Sequence, residues 1–349
     1  MENAAGAKPR IEYYDIAKGI GILLVVWAHG RGPFSNYIYQ FHMPLFFLIS
    51  GLLYSEAAGV GEFIKRKVKS LYLPFVIWNL LFYVTKSILH HVKSDTIVDT
   101  ALRIVLTLDK DGQYFGATWF MGSLFVVAVL YKLLEASLRE SPSKDITLLL
   151  TFGALAVLGY SVTLPHMVSR TLVLSLCYAV GAFCKKHQEK ITLMQPDHWL
   201  LAVGSVVFFY FAAKNNSANM GANEYRHPLL FAVESLLMSY ALLYLCKYAE
   251  KLTAKPAVAV KRVLVFLSRR SVDILIWQFV AFRLVIAAQM LLHHEALTVK
   301  NLLAYYPVYD AGGLWWLVYT VVGIVGSLLW CDLLRLGPWG KLLKKIHAV

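Results

Sequence analysis

The chain has 349 residues, of which 58% are hydrophobic, 14% aromatic and only 16% charged, and its formal net charge is +13. A mean hydropathy of +0.57 and long unbroken apolar runs exclude an ordinary soluble domain, which carries more charge and shorter runs. Lys and Arg stand in short clusters between those runs, as at Lys65, Arg66, Lys67 and Lys69, which marks topology signals and excludes a nucleic-acid partner.

Residues 1–10 are polar, and the apolar run after them lacks a small-residue cleavage site, so it is expected to remain as a helix. A helix crosses the bilayer with about 20 apolar residues. Ten runs approach that length: 11–30, 37–54, 71–90, 117–135, 146–164, 167–184, 198–213, 228–246, 271–292 and 313–334. The seventh is short, and only Pro165 and His166 separate the fifth from the sixth. With the first segment placed inside, Lys and Arg favour the inner segments by more than roughly two to one. The expectation is an all-α, polytopic membrane bundle of about ten spans, a single domain over 1–349, with both termini cytoplasmic.

Two pieces are expected not to span. The outer loop 94–116 carries a helical stripe of Ile97, Ala101, Leu102, Val105 and Leu106, suited to lying on the surface or capping the bundle. Segment 256–270 mixes Val263, Leu264, Phe266 and Leu267 with Lys261, Arg262, Arg269 and Arg270, which suits an interfacial helix on anionic lipid or a contact to a phosphate-bearing cofactor. The cysteines (Cys177, Cys184, Cys246 and Cys331) lack metal-ligand spacing and read as free thiols; no metal is expected.

Ionisable groups inside a span are costly and therefore mark candidate sites. The first run holds Lys18 and His29, whose spacing of eleven residues amounts to a net rotation of about 20° and a rise of about 16 Å. Both lie on one stripe with Ile22 and Val25, and Asp15 sits one turn below Lys18. They are expected to line one polar cavity, the cation low in the membrane and the imidazole high. The second run brings His42 to a similar depth, two residues before Pro44, which loosens helix pairing there. Other polar groups within spans are Asn79, Arg170, Glu234, Asp273 and Arg283; Glu234 with Arg170 or Arg283 reads as a buried pair. Segment 223–227 reads as a solvated loop, with contact to a substrate left open as the alternative, and Trp315 and Trp316 read as part of an interfacial belt.

The stretch YDIAKGIGILLVVWAH at 14–29 resembles the first helix of the acyltransferase family 3 membrane proteins, with Lys18 and His29 fitting the family's Arg/Lys-x10-His signature. FHMPLFFLISG at 41–51, Arg66 through Leu73 to Phe75, Thr118-Trp119-Phe120, ILIWQFVAFR at 274–283 and WWLVYTVVG at 315–323 are similar to later helices of its sugar and polysaccharide O-acetyltransferase branch. The likeness covers nearly the whole chain. It departs at Gln278, where many relatives carry histidine, and Gln278 is therefore given no proton-transfer role.

The resemblance implies acyl transfer, in a bacterial cytoplasmic membrane, from acetyl-CoA or another acyl-CoA to a hydroxyl of a glycan or lipid-linked sugar. A hydroxyl needs a base within hydrogen-bond reach, and histidine suits that task. His29 is the expected general base, with His42 assisting. Lys18, held by Asp15, is expected to meet a donor phosphate. Trp119, Gln278 and Arg283 are expected on the substrate side, with His42, Trp119 and Gln278 as candidate oxyanion donors. His42 serving only to orient its neighbour, and Lys18 only snorkelling to headgroups, stay open. So do a direct transfer or an acyl-histidine step, a non-catalytic ligand-binding module and a transporter.

Overall fold

A computed structural model of the chain describes residues 11–89, 94–108, 116–336 and 340–341. The polar segment 1–10, residue 90 of the third run, the outer-loop residues 109–115 and the basic tail 342–349 lie outside the described residues.

The helices are α1 (Glu12–His29), α2 (Ser35–Tyr39), α3 (His42–Leu52), α4 (Val60–Lys67), α5 (Leu73–Leu89), α6 (Ser94–Thr107), α7 (Trp119–Ser137), α8 (Lys144–Ser161), α9 (Val168–His187), α10 (Trp199–Asn215), α11 (Pro228–Glu250), α12 (Lys255–Arg269), α13 (Ser271–Leu292), α14 (Val299–Ala304) and α15 (Trp315–Leu336). A π-helical turn at Val68–Tyr72 joins α4 to α5. The strands β1 (Ala218–Asn219) and β2 (Glu224–Tyr225) form an antiparallel hairpin. The chain is an all-α polytopic membrane protein.

Each expected run contains a helix, yet among the described residues seven are long and apolar enough to cross a membrane: Val60–Thr85, Gly116–Ser137, Lys144–Ser161, Val168–His187, Pro228–Glu250, Ser271–Leu292 and Trp315–Leu336. The three that fall short have physical reasons. α1 has 18 residues but includes Glu12, Asp15 and Lys18, and α10 stops at 17 residues. The run at 37–54 is broken, because the chain ends α2 at Tyr39 and starts again at His42, leaving α3 with 11 residues. Pro44 lies in the first turn of α3, where its missing N–H costs nothing.

Packing relies on small residues, as it does where lipid removes the hydrophobic drive between helices. α3 and α9 cross at Gly51 and Gly181; a Cβ on Gly51 would lie 2.0 Å from the Tyr178 carbonyl oxygen, and one on Gly181 would lie 2.1 Å from that of Leu48. α1 meets α12 in the same manner at Gly19, where a Cβ would stand 2.1 Å from the Leu264 oxygen. The segment read as interfacial is thus a packed neighbour of α1, although Val260, Val263 and Phe266 stay exposed on its other side. Leu150, Leu200, Phe211, Leu284 and Leu333 are exposed on α8, α10, α13 and α15, as lipid-facing residues are.

The two ends of the bundle differ. One carries ion pairs: buried Glu135 takes Lys132 at 3.0 Å, Lys144 at 3.1 Å and the Tyr54 hydroxyl at 3.0 Å. There Lys186 bonds Asp145 at 2.8 Å, while Asp273 pairs with Arg270 and, at 2.9 Å, with Arg335. The end of α7, the start of α8 and the end of α9 meet in the first of these clusters, and the start of α13 meets the end of α15 in the second. The other end carries the α1–α3 connection, the hairpin and the segment between α13 and α15, and it holds the cavity. All four cysteines are free.

Candidate active site

At the end of α1, a cavity of about 910 Å³ is lined by His29 and Val25, by Tyr39, His42 and Met43, by Gly116 and Trp119, by the hairpin, and by Tyr306 and Pro307. His29 and His42 therefore share one cavity. Their rings are bridged by Tyr39, whose centroid is 6.1 Å from His29 and 5.6 Å from His42. The Tyr39 hydroxyl donates to the Ala28 carbonyl at 2.8 Å, which ties the short α2 back onto α1.

His29 Nδ1 lies 3.0 Å from Gln278 Oε1. The Gln278 side chain is fully buried, and its Nε2 donates to the Leu275 carbonyl at 3.2 Å, so the amide oxygen is the atom turned toward the imidazole. An amide oxygen only accepts, so Nδ1 carries the proton, and in the neutral ring Nε2 is the basic nitrogen. Phe279 packs on the same imidazole at 4.9 Å. His42 is fixed by the same logic: its Nδ1 lies 2.7 Å from the Ile38 carbonyl, which makes Nδ1 the donor.

Three expectations need correction. Gln278 does not line the cavity; it orients His29 from behind, from a position 249 residues away. Arg283 donates to the carbonyls of Leu302, at 2.8 Å, and Tyr305, and so holds the segment that carries Tyr306 and Pro307. Lys18 does not line the cavity with His29. Its Nζ is 2.8 Å from Asp15 Oδ1, and Asp15 also accepts from Ser268 at 3.1 Å. Between them Ile22 and Val25 are buried, Leu264 covers Gly19 and Phe46 covers Gly21. The polar stripe is interrupted by close packing.

Trp119 is placed as expected, on the cavity wall, with the Arg170 guanidinium 5.5 Å from its ring centre. Among the described residues, Glu234 takes Asn216 at 2.9 Å and its other oxygen makes no hydrogen bond, while Arg283 donates to carbonyls; among these residues the buried pair of Glu234 with Arg170 or Arg283 does not form. Asn79 bonds the Phe75 carbonyl and Thr118, a structural tie. Tyr39, read as part of the second run, and Tyr306 were missed as cavity residues, and the hairpin was foreseen only as far as 223–227 was weighed as an acceptor contact. The far side of the α13–α15 segment is pinned by Glu295, which accepts from Tyr305 at 2.9 Å and Tyr309 at 2.7 Å. That acceptance pushes the Tyr309 phenol up to about 12.

These features define a multi-pass α-helical membrane protein with a polar, histidine-walled cavity at one end. The family described as "Acyltransferase domain" matches residues 11–336, and the chain belongs to that family, the acyltransferase family 3 proteins. It is similar to the nodulation protein NolL of Mesorhizobium japonicum, 32% identical over 160 residues, 39% of this chain and 39% of that protein. The NolL of Sinorhizobium fredii is 29% identical over 150 residues, 38% of this chain and 39% of the relative. The chain thus spans 39% of the length of each curated relative. No solved structure matches it.

Proposed function

We propose that the protein moves an acetyl or other short acyl group from acyl-CoA to a hydroxyl of an envelope carbohydrate, in a bacterial cytoplasmic membrane, with His29 as general base. The observation that carries this reading is the Gln278–His29 bond, which fixes the tautomer of an imidazole on a cavity wall. His29 Nε2 takes the proton of the acceptor hydroxyl as its oxygen attacks the thioester carbonyl. The tetrahedral oxyanion collapses, the C–S bond breaks, and the imidazolium returns the proton to the coenzyme A sulfur. Of the three candidate oxyanion donors, Gln278 is engaged with His29 and Leu275, and His42 donates its ring proton to Ile38. Trp119 Nε1–H is the donor this reading selects. Lys18, held by Asp15 at the opposite end of α1, contacts a phosphate of the donor.

The test is compositional. Ester-linked acyl groups are measured on the glycans of cells that make the wild-type protein, His29→Ala or no protein. Ester content should fall to the protein-free level with His29→Ala; equal content in all three would end the reading.

A further inference from the structure

The polar connection between α10 and α11 is more ordered than a loop needs to be. Ala218 pairs with Tyr225 and Asn219 with Glu224, and Arg226 N donates to the Ser217 carbonyl at 3.0 Å. Side chains alternate across such a ribbon, so Ser217, Asn219, Glu224 and Arg226 share one face. All four line the cavity that holds His29, as Ala218 and Tyr225 of the opposite face also do in part. The other face is anchored, with the Tyr225 ring 4.9 Å from Tyr160 and 5.1 Å from Phe231.

The base of the hairpin is closed by one side chain. Asn216 Oδ1 accepts from the Ser217 and His227 amides, both at 3.0 Å, and its Nδ2 donates to Glu234 Oε1 at 2.9 Å. Glu234 is fully buried on α11, and its Oε2 makes no hydrogen bond among the described residues. A carboxyl inside a membrane bundle is costly and is kept for a purpose. Its bonding partner here is the residue that joins both strands of the hairpin.

We propose that the hairpin is the acceptor-binding wall of the cavity, and that Glu234, acting through Asn216, is the positioning residue that holds it. This rests on the reading of acyl transfer to a carbohydrate hydroxyl. The ligand class follows from the chemistry of the exposed face. A carboxylate that accepts, a guanidinium that donates and an amide that does both satisfy adjacent hydroxyls of a sugar ring, whose apolar side can lie on Trp119. A polyphosphate is disfavoured beside Glu224, which assigns this wall to the acceptor rather than the donor.

The experiment uses the full chain in detergent, radiolabelled acetyl-CoA as donor, and as acceptor the glycan fraction of producing cells from which the protein has been deleted. Glu234→Leu should raise the half-saturating acceptor concentration at least tenfold, leave that for acetyl-CoA within twofold, and speed hydrogen exchange across 217–226. Glu234→Gln, which keeps an acceptor for Asn216, should stay within threefold of wild type on both substrates. Arg226→Ala, an exposed change that leaves the clamp intact, should raise the acceptor value without altering exchange elsewhere. Acceptor values within twofold of wild type for folded Glu234→Leu and for Arg226→Ala would overturn the assignment. So would equal rises for both substrates. If wild-type protein and His29→Ala incorporate the same label, the acyl-transfer reading itself fails, and the assignment falls with it.

Discussion

The sharpest test of the site falls on a residue that does not touch the cavity. Gln278→Leu keeps the volume of a fully buried side chain while removing the acceptor 3.0 Å from His29 Nδ1. Two costs follow. The Nδ1–H loses its partner, and an unsatisfied buried donor costs about 1–3 kcal/mol. The imidazole is also released to rotate or to move its proton to the other nitrogen. If that rearrangement is worth the same energy, the competent tautomer falls by about 5- to 150-fold, since about 1.4 kcal/mol is a factor of ten. Acetyl transfer to the glycan fraction should drop by that factor in kcat, with half-saturating concentrations for both substrates little changed. Gln278→Glu keeps an acceptor oxygen and should retain activity within about fivefold, because the bond it makes to Nδ1 survives. If Gln278→Leu transfers acetyl within twofold of wild type while His29→Ala is inactive, the orientation argument is wrong.

Further outcomes follow from other contacts. Lys18→Ala should raise the half-saturating acyl-CoA concentration several-fold and leave the acceptor value unchanged, measured by the same transfer assay, because Lys18 lies near Asp15 at the end remote from the cavity. Trp119→Phe should keep the wall of the cavity but lower kcat by about 10²-fold, the cost of deleting one oxyanion donor; an unchanged kcat would remove Trp119 from that role. Glu135→Leu leaves buried Lys132 without its carboxylate, although Lys144 keeps Glu56 at 3.0 Å, and breaking such a buried pair costs about 3–5 kcal/mol. The detergent-solubilised variant should therefore unfold at lower temperature, with His29 chemistry preserved in the fraction that remains folded.

The helices were legible because run length and hydropathy are local properties, and even α1 and α3 appear at their expected places. The break before His42 was only half legible: Pro44 announced a disturbance, but it sits inside the restarted helix rather than at the gap. The charged end of the bundle was legible as clusters of Lys and Arg, without the carboxylates that pair with them. What stayed hidden was every contact between distant segments. Nothing near His29 names Gln278 as its partner, and the polar run at 223–227 left both a solvated loop and a substrate contact open until the hairpin placed it on the cavity.

Lys18 shows why. The helical repeat correctly put it on the stripe of His29, but sharing a stripe is a property of one helix, whereas a cavity is a property of its neighbours. Leu264 of α12 fills the space above Gly19, and Phe46 of α3 fills that beside Gly21. Gly19 is small so that α12 can approach, and that approach is what closes the lower half of the stripe. On the proposed reading, an acyl-CoA reaching His29 from the Lys18 end would have to displace α12 or Phe46, and their contacts with α1 would then control donor entry. Gly19→Ala pushes a methyl to within 2.1 Å of the Leu264 oxygen and so holds α12 away from α1. In a folded variant, it should change the half-saturating acyl-CoA concentration and leave that for the acceptor as it was. A shift in the acceptor value alone would place the donor path elsewhere.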